Sequence, residues 1–351
     1  MDKNLSNTVT LVKAVGIILM VVCHALPTDL YIRSVVYTFH MPLFFLMSGY
    51  CFKDSYLDNT WQFVLRRLKG LYLPFVLFSL AFIFSHNLFY LWFNSDLVFS
   101  WKEFLLQVSD AVFRMQYNGR MLGQFWFLKQ LFCGSLIFFF TLKLCRRRVG
   151  CTVLLLLVAT ELLCITQIGI PYFEVDYNSV YAAFFISVGC LWRKSEIKIS
   201  NWLLFPVGLA LILAEPLVLD KVAFLDNTPV TLLLYCLPAI AGTLMVFKLC
   251  SLWTEDAENR MQLAILYVGN HTLSILALHF LVFRFVTIMY VLLYSLPLSH
   301  LAEFPVIEES SYFWRLIYSI AGIVLPLLAV YIWQRVIKKT ELCVEFRFSI
   351  R

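Results

Sequence analysis

Two ionisable side chains lie in an apolar stretch near the N-terminus, and their spacing suits chemistry inside a membrane. Lys13 and His24 interrupt the sequence LVKAVGIILMVVCH, which begins at Leu11. In an α-helix, eleven residues separate them by about 16 Å along the axis. An ionisable side chain within a membrane span is costly and marks a candidate functional site. The alternatives are a Lys13 ammonium that reaches the membrane interface and a neutral His24 imidazole that bonds to a neighbouring helix.

Two further histidines lie at breaks in apolar segments. His40 precedes Pro42 in the sequence FHMPLFF, where the proline predicts a bend that leaves backbone groups in need of partners. Asn270 and the glycine before it predict a helix end, and His279 then lies about half-way across the next span. A second mid-membrane histidine favours a functional role for His24 and His279. His40 fits a packed interfacial histidine as well as a ligand.

A basic cluster precedes a proline on the third apolar segment. Arg66, Arg67 and Lys69 are followed by Pro74. Guanidinium and ammonium groups bind phosphates, so the cluster suits a phosphate-rich ligand. The alternative is a positively charged anchor that only sets the orientation of the span.

Composition indicates the elements that must position these side chains. The 351 residues are 61% hydrophobic and 14% charged, and the mean hydropathy is +0.80. A soluble domain is nearer half apolar and a quarter charged, so we predict an all-α, polytopic membrane helix bundle. Windows of about 20 apolar residues predict ten spans, roughly at residues 8–27, 35–52, 71–93, 124–142, 150–168, 179–192, 201–219, 230–250, 272–293 and 313–334. The sixth is short enough to be tilted or re-entrant, and residues 260–270 are predicted as an interfacial helix.

Basic residues between the spans predict the orientation. With the N-terminus in the cytoplasm, nineteen Lys and Arg residues, including Arg193, fall in inner segments and five in outer segments. Four more fall within spans: Lys13, Lys129, Arg284 and Arg315. The positive-inside rule therefore predicts that both termini are cytoplasmic. Because the charges lie in short loops, the net charge of +6 does not indicate nucleic-acid binding. We expect one membrane domain over residues 1–351, with no cleavable signal peptide, no separate soluble domain, and no disulfide or metal role for the ten cysteines.

The longest outer loop, residues 94–123, is polar and aromatic. Two interpretations fit it equally: it lines a binding site for an acceptor molecule, or it is an amphipathic segment on the bilayer surface.

Five features follow one another in a characteristic order. They are the lysine and histidine of span one, FHMPLFFLMSG in span two, the basic cluster before a proline, FWFL at residues 125–128, and GN followed by LH on span nine. Together they resemble the acyltransferase-3 family of integral membrane acyltransferases, in its sugar O-acetyltransferase-like branch. The resemblance extends from residue 10 to about residue 335.

The resemblance implies a reaction and a location. The family transfers an acyl group, usually acetyl from acetyl-CoA, to a hydroxyl or amine of a cell-envelope glycan or lipid-linked sugar. It implies acyl-CoA as a co-substrate, no permanently bound cofactor, and a multi-pass protein of the inner (cytoplasmic) membrane. The expected partners are acyl-CoA, the acceptor and membrane lipid, with no nucleic acid.

The resemblance also assigns roles to residues. The catalytic candidates are His24, on which the catalytic histidine of the family falls, and His279, which we expect to orient His24, to bind the acceptor or to fill the core. The donor-binding candidates are Lys13, Arg66, Arg67 and Lys69, and the substrate-binding candidates are His40, Trp126 and Asn270.

This chain departs from the family pattern at its basic positions. The family often has Arg where Lys13 stands, and lysine supplies charge without a bidentate fork. Its R-x-x-R pair aligns with Arg67 and Gly70, so Lys69 or Arg66 is expected to replace the second arginine.

Two mechanisms and two rival functions remain open. His24 either acts as general base on an acceptor hydroxyl or is itself acylated. One rival is a non-catalytic membrane scaffold, which would need neither His24 nor the basic cluster. The other is a transporter or flippase of a lipid-linked saccharide, which charges within the spans would fit. Against it, the sequence shows no inverted repeat with paired broken helices.

Overall fold

Long apolar segments fold as helices because only a helix satisfies every backbone N–H and C=O group without help from lipid. The structure, a computed structural model, describes residues 3–93, 98–117, 120–169, 175–195, 200–219, 224–225, 228–255 and 259–340. Fourteen α-helices occur within this part of the chain. The prediction of an all-α helix bundle is confirmed.

The helices follow one another with short connections. The first seven are α1 (Lys3–Ala25), α2 (Tyr31–Tyr37), α3 (His40–Tyr50), α4 (Thr60–Arg67), α5 (Leu73–Phe93), α6 (Trp101–Arg114) and α7 (Trp126–Leu144). The other seven are α8 (Val149–Thr166), α9 (Tyr177–Ser195), α10 (Asn201–Val218), α11 (Pro229–Glu255), α12 (Arg260–Asn270), α13 (Thr272–Leu293) and α14 (Tyr312–Thr340). A π-helical segment, Leu68–Tyr72, joins α4 to α5, and a 3₁₀ segment, Arg120–Phe125, leads into α7.

Eight helices of the described residues are long and apolar enough to cross a membrane. They match eight of the ten predicted spans. The predicted second span is not one continuous helix, because the chain breaks between α2 and α3 at Thr38 and Phe39. The break confirms the predicted bend, and its cause is that Pro42 has no N–H to donate to the Thr38 carbonyl four residues earlier.

The predicted sixth span, α9, is the centre of one half of the bundle. It packs against α3, α7 and α8, and twelve of its 19 residues are buried. Close contact with α3 depends on two glycines. A Cβ at Gly49 would lie 1.8 Å from the Ile186 carbonyl oxygen, and one at Gly189 would lie 2.0 Å from that of Leu46. Protein neighbours therefore enclose α9, which explains why it is more polar than the other spans.

Other helices present an apolar face outwards. On α8, Leu154, Val158, Leu162 and Ile165 are each more than half exposed, and their spacing of three or four residues places them on one side. Such a stripe suits contact with lipid tails.

The two ends of the bundle differ in charge. Helices α1 and α14 run antiparallel, since Arg315 near the start of α14 donates to the carbonyl of Ala25 at the end of α1. Lys3 and Thr340 therefore lie at the same end. We call this the basic end, and it also holds residues 51–59 and 145–148.

Ion pairs tie the basic segments together. Arg147 bonds Asp58 at 2.6 Å, and Lys194 bonds Asp54 at 2.7 Å. The opposite end, which we call the distal end, holds residues 26–30, 98–117 and 294–311. The assignment of the basic end to the cytoplasm stays a prediction of the charge pattern.

Candidate active site

The two mid-membrane histidines meet in the structure. His24 lies in the last turn of α1 and His279 in the first half of α13. The Nδ1 atom of His24 is 3.1 Å from Nε2 of His279. Their rings are nearly parallel, with an interplanar angle of 6° and centroids 5.3 Å apart. Residues 255 positions apart in the chain thus form one hydrogen-bonded pair.

The surroundings of His279 fix the direction of this hydrogen bond. Nδ1 of His279 lies 3.0 Å from the carbonyl oxygen of Ile275 and 3.1 Å from that of Leu276. A carbonyl only accepts, so Nδ1 of His279 carries the hydrogen, and Nε2 of the neutral ring is an acceptor. His24 therefore donates from Nδ1 to His279. This leaves Nε2 of His24 with a lone pair, which is the form that a general base or nucleophile requires.

Burial separates the roles of the two rings. His279 is completely buried, whereas His24 retains partial exposure. Phe280 packs against both rings, with centroids 4.9 Å from His24 and 4.3 Å from His279. Phe283 adds an edge-on contact to His279. The apolar wall holds His279 in place, and of the two rings only His24 presents a surface that a reactant can reach.

A buried arginine secures the end of α1 that carries His24. Arg315 donates to the Ala25 carbonyl at 2.9 Å and also to the carbonyls of Ser310 and Glu308. The last carbonyls of a helix have no partner within the helix, so this contact satisfies one of them. Sequence reasoning placed Arg315 within a span without a role, although a charged residue there is a signal in itself.

Arg284 plays a comparable part on α13. It donates at 2.6 Å to the carbonyls of Leu301 and Glu303, and its guanidinium lies 5.2 Å from the Phe304 ring centroid. Two of the four predicted intramembrane cations, Arg284 and Arg315, therefore fasten distal loops to the bundle.

The predicted substrate residue His40 lies at the start of α3. Its Nδ1 donates to the carbonyl of Val36 at 3.0 Å, and its ring stacks on Tyr37 with centroids 5.0 Å apart. Arg33 donates to the Tyr37 hydroxyl at 3.0 Å. His40 is buried, but it lies within electrostatic range of His24. Both histidines belong to the distal half of the bundle.

Two of the predicted donor residues, Lys13 and Arg67, lie near the C-terminal end of α3. Both are within electrostatic range of the Cys51 thiol, as is Arg193. Arg67 donates to Ser48 at 3.2 Å, which fixes its guanidinium beside α3. Lys13 itself lies near the middle of α1. Arg193, which sequence reasoning treated only as an orientation signal, lies at the same end of α3.

The other two donor candidates are more exposed. Arg66 donates to the Tyr56 hydroxyl at 2.8 Å, and Lys69 is exposed on the π-helical segment. The predicted substrate residue Asn270 is also exposed, at the end of α12. Its neighbour Gly269 packs on the Thr10 carbonyl of α1. Asn270 therefore lies near the basic end and apart from the histidine pair.

The predicted outer loop includes a surface helix and part of a cavity wall. Helix α6 exposes Trp101, Leu106 and Phe113, as an amphipathic surface segment does. Residues 115–117, which follow it, line a cavity of about 300 Å³ together with Trp126, the third predicted substrate residue. Acceptor binding by this loop stays a prediction. Residues 94–97, 118 and 119 of the loop lie outside the described residues.

Gln124 connects this cavity to the histidine pair. Its side-chain amide donates at 2.6 Å to the Leu276 carbonyl, the same carbonyl that faces Nδ1 of His279. Sequence reasoning missed Gln124, because a single glutamine in an apolar segment carries no pattern.

Comparison with known proteins agrees with this arrangement. The family described as an acyltransferase domain, acyltransferase-3, matches residues 7–334. The chain belongs to the acyltransferase-3 family. The match includes every helix that contributes to the histidine pair and to the basic end, so the protein is a multi-pass membrane acyltransferase. A search of curated proteins and a search of solved structures each returned no match.

The acyltransferase departs from the family pattern at a position with free space around it. Gly70 occupies the second position of the expected R-x-x-R pair, and an added Cβ there would meet no atom within 4 Å. The missing arginine is therefore not excluded by packing.

Proposed function

We propose that this acyltransferase moves an acyl group, acetyl in the first instance, from acyl-CoA to a hydroxyl of a cell-envelope glycan or lipid-linked sugar. An amine is the alternative acceptor group. The observation that carries the proposal is the hydrogen bond from Nδ1 of His24 to His279, which leaves Nε2 of His24 as a base at a partly exposed position. The protein would act in the inner (cytoplasmic) membrane.

The proton balance of the reaction fits a single base. Nε2 of His24 takes the proton of the acceptor hydroxyl while the oxygen attacks the thioester carbonyl carbon. The tetrahedral intermediate collapses, the C–S bond breaks, and the thiolate of CoA takes the proton from His24. His279 keeps its own proton on Nδ1 throughout and stabilises the His24 imidazolium through its neutral Nε2.

The acyl-enzyme route uses the same lone pair. Nε2 of His24 attacks the thioester, and CoA leaves as a thiolate that takes a proton from water. The acceptor hydroxyl then displaces the imidazole from the acyl group and passes its proton to the released Nε2. Ping-pong kinetics, with release of CoA before the acceptor binds, would support this route, and sequential kinetics would support the general-base route.

The basic end suits the nucleotide part of acyl-CoA. Arg67 and Lys13 are both within electrostatic range of Cys51 at the C-terminal end of α3, and guanidinium groups bind phosphate oxygens bidentately. Lys13 and His24 lie on one helix, about 16 Å apart along its axis. An extended pantetheine arm along α1 would carry the thioester from the phosphate site towards His24.

We expect acyl transfer by the purified full-length chain in lipid nanodiscs, measured as movement of labelled acetyl from acetyl-CoA to envelope glycans or lipid-linked saccharides. In the Arg66→Ala, Arg67→Ala, Lys69→Ala triple variant, the KM for acetyl-CoA should rise about tenfold or more, because charge-assisted hydrogen bonds to the phosphates are lost. The matched control is the triple alanine variant at Arg146, Arg147 and Arg148, three exposed arginines of the same end.

The outcomes separate the candidate functions. An equal KM in the two triple variants would show that Arg66, Arg67 and Lys69 serve only as orientation signals. Failure of the native chain to transfer acetyl to any glycan, or to release CoA, would contradict an acyltransferase mechanism at this site and favour transport of a saccharide.

A second change at the basic end should strengthen donor binding. Gly70→Arg places a guanidinium three residues after Arg67, at the position of the family's second arginine, where an added Cβ would meet no atom within 4 Å. One additional charge-assisted contact is expected to lower the KM for acetyl-CoA by roughly fivefold. Steady-state kinetics at fixed acceptor would measure the change.

Two controls at the same position isolate the charge. Gly70→Ala gives most of the gain in helix propensity without charge, and Gly70→Glu reverses the charge. If Gly70→Ala and Gly70→Arg lowered the KM equally, the effect would come from helix stability and the assignment of phosphates to this surface would be wrong.

A further inference from the structure

The cavity at the distal end has polar and aromatic walls. Trp126 and Phe125 contribute aromatic faces, while Lys129, Gln130 and Asp176 contribute polar groups. Its volume of about 300 Å³ is at the lower end of the range of small-molecule sites. Aromatic faces beside amide and carboxylate groups suit a sugar ring, which has apolar faces and a rim of hydroxyls.

Lys129 is the unusual member of this lining. It is only 8% exposed, and within the part of the chain that the structure describes its ammonium makes no hydrogen bond or ion pair. A buried ammonium without a partner is costly. Oxygen atoms of a ligand would offset this desolvation free energy by accepting hydrogen bonds from the ammonium, and negatively charged oxygen atoms would offset it most.

Asp176 lines the same cavity, but its carboxylate is already engaged. It accepts from the backbone N–H and the hydroxyl of Ser179 at 3.1 and 3.2 Å, from Asn178 at 3.1 Å and from Gln130 at 3.4 Å. These contacts hold it at the start of α9, where it caps the helix. Asp176 therefore leaves the three donors of the Lys129 ammonium open to a ligand.

A second polar group of the lining also lacks a partner. Asn178 is 6% exposed, and its Oδ1 atom accepts no hydrogen bond from any described residue. Buried polar atoms are nearly always satisfied in native proteins. An unsatisfied acceptor and an unpaired cation in one cavity indicate a ligand that carries both a hydroxyl and an oxyanion.

The Arg120–Phe125 segment contacts both the cavity and the helix that carries His279. Leu122 and Phe125 line the cavity, whereas Gln124 between them donates to Leu276, one turn before His279. The segment therefore joins the wall of the cavity to α13.

We propose that this cavity is an acceptor subsite selective for an acidic sugar, in which Lys129 binds the carboxylate or phosphate and Asn178 accepts a hydroxyl. The role of the bound sugar as acyl acceptor rests on the proposed function, but binding of the sugar does not require acyl transfer. The oxyanion can belong to a uronic acid of a glycan or to the diphosphate of a lipid-linked sugar, and the ammonium recognises both in the same way.

Binding measured without acyl-CoA tests the proposal. The full-length chain in nanodiscs is titrated with three probes: a glucuronate-containing disaccharide, its neutral glucose counterpart, and an isoprenyl-diphosphate-linked monosaccharide. The native chain should bind at least one acidic probe more tightly than the neutral one. Lys129→Met should weaken that binding about 10- to 100-fold and change binding of the neutral probe little, while Lys129→Arg should retain most of it.

Lys102→Met is the matched control, because Lys102 is an exposed lysine of the same end and its loss should leave all three affinities unchanged. Thermal unfolding adds a check on folding: removal of an unpaired buried charge should not lower the Tm. Tighter binding of the diphosphate probe alone would identify the lipid-linked sugar as the source of the oxyanion, and tighter binding of the glucuronate probe alone would identify the glycan.

Three results would overturn the proposal. They are no binding of either acidic probe, equal weakening of acidic and neutral probes in Lys129→Met, and a fall in Tm that Lys129→Arg does not share. Because no step uses acyl-CoA, acidic binding that depends on Lys129 would stand even if acyl transfer failed, and acyl transfer with no such binding would refute this subsite alone.

Discussion

Replacing His24 by alanine is expected to lower kcat for acyl transfer by about 10²- to 10⁴-fold, the usual contribution of a positioned acid–base group. The reason is that Nε2 of His24 is the free acceptor of the histidine pair, while its Nδ1 is committed to His279. The KM for acetyl-CoA should change little, because the predicted phosphate site begins at Lys13, about 16 Å from His24 along α1. Single-turnover transfer of labelled acetyl would measure the chemical step.

A second substitution separates chemistry from packing. In His24→Asn, the side-chain amide can still donate to His279, but the lone pair of Nε2 is gone. We expect this variant to retain the Tm of the native chain and to be as inactive as His24→Ala. Activity in His24→Asn within tenfold of native would exclude both the base and the acyl-carrier roles of His24.

The matched control is a histidine outside the pair. His271 occupies the N-cap position of α13, where its side chain makes no capping hydrogen bond, and it donates from Nδ1 to the Tyr267 carbonyl at 2.8 Å. Asparagine is a good residue at such a position, so His271→Asn should leave kcat unchanged. A comparable loss in this variant would indicate that activity responds to α13 as a whole.

Replacing His279 by leucine is expected to have the second largest effect. Leucine still packs against Phe280, but it removes the acceptor for Nδ1–H of His24. Loss of one buried hydrogen bond is worth about 1–3 kcal/mol, which corresponds to a fall in kcat of roughly 5- to 150-fold. The KM for acetyl-CoA should again be unchanged, because His279 acts as a positioning residue.

The conservative variant distinguishes positioning from core filling. The side-chain oxygen of glutamine can accept from His24, so His279→Gln should recover a large part of the activity lost in His279→Leu. Nitrogen NMR of labelled histidine should show the Nδ1–H form of His24 in the native chain and in His279→Gln, and a mixture of tautomers in His279→Leu. Equal activities and equal tautomer populations in the two variants would show that His279 only fills space.

Much of the architecture follows from local sequence. Apolar runs of about 20 residues require helices in lipid, and the boundaries of α12, predicted as residues 260–270, agree with the structure. Pro42 indicates the break before α3 for an equally local reason, its missing N–H. The short length of the sixth span also follows from local sequence. The central position of this span, α9, does not, because that position depends on the close approach of α3 and α9 at Gly49 and Gly189.

The candidate site was only partly predictable. His24 and His279 stand out in sequence because a titratable group in an apolar helix is rare. Gln124 and Asn178 do not stand out, since a polar residue becomes informative only when its neighbours fail to satisfy it. Lys129 and Arg315 look alike in sequence, as single cations near the ends of spans. In the structure Arg315 is satisfied by three carbonyls, while Lys129 has no bonded partner among the described residues.

The sequence by itself determined the membrane class, the helices, the concentration of positive charge at one end and the two histidines. These are properties of residues within one helix, where 3.6-residue geometry and burial in lipid act over short distances. Only the tertiary structure decided that Nδ1 of His24 meets Nε2 of His279 across 255 residues and that Lys129 lines a cavity in which no described residue bonds its ammonium. Such contacts depend on how helices distant in sequence pack against one another, and the side chains that settle this packing are spread over the whole chain.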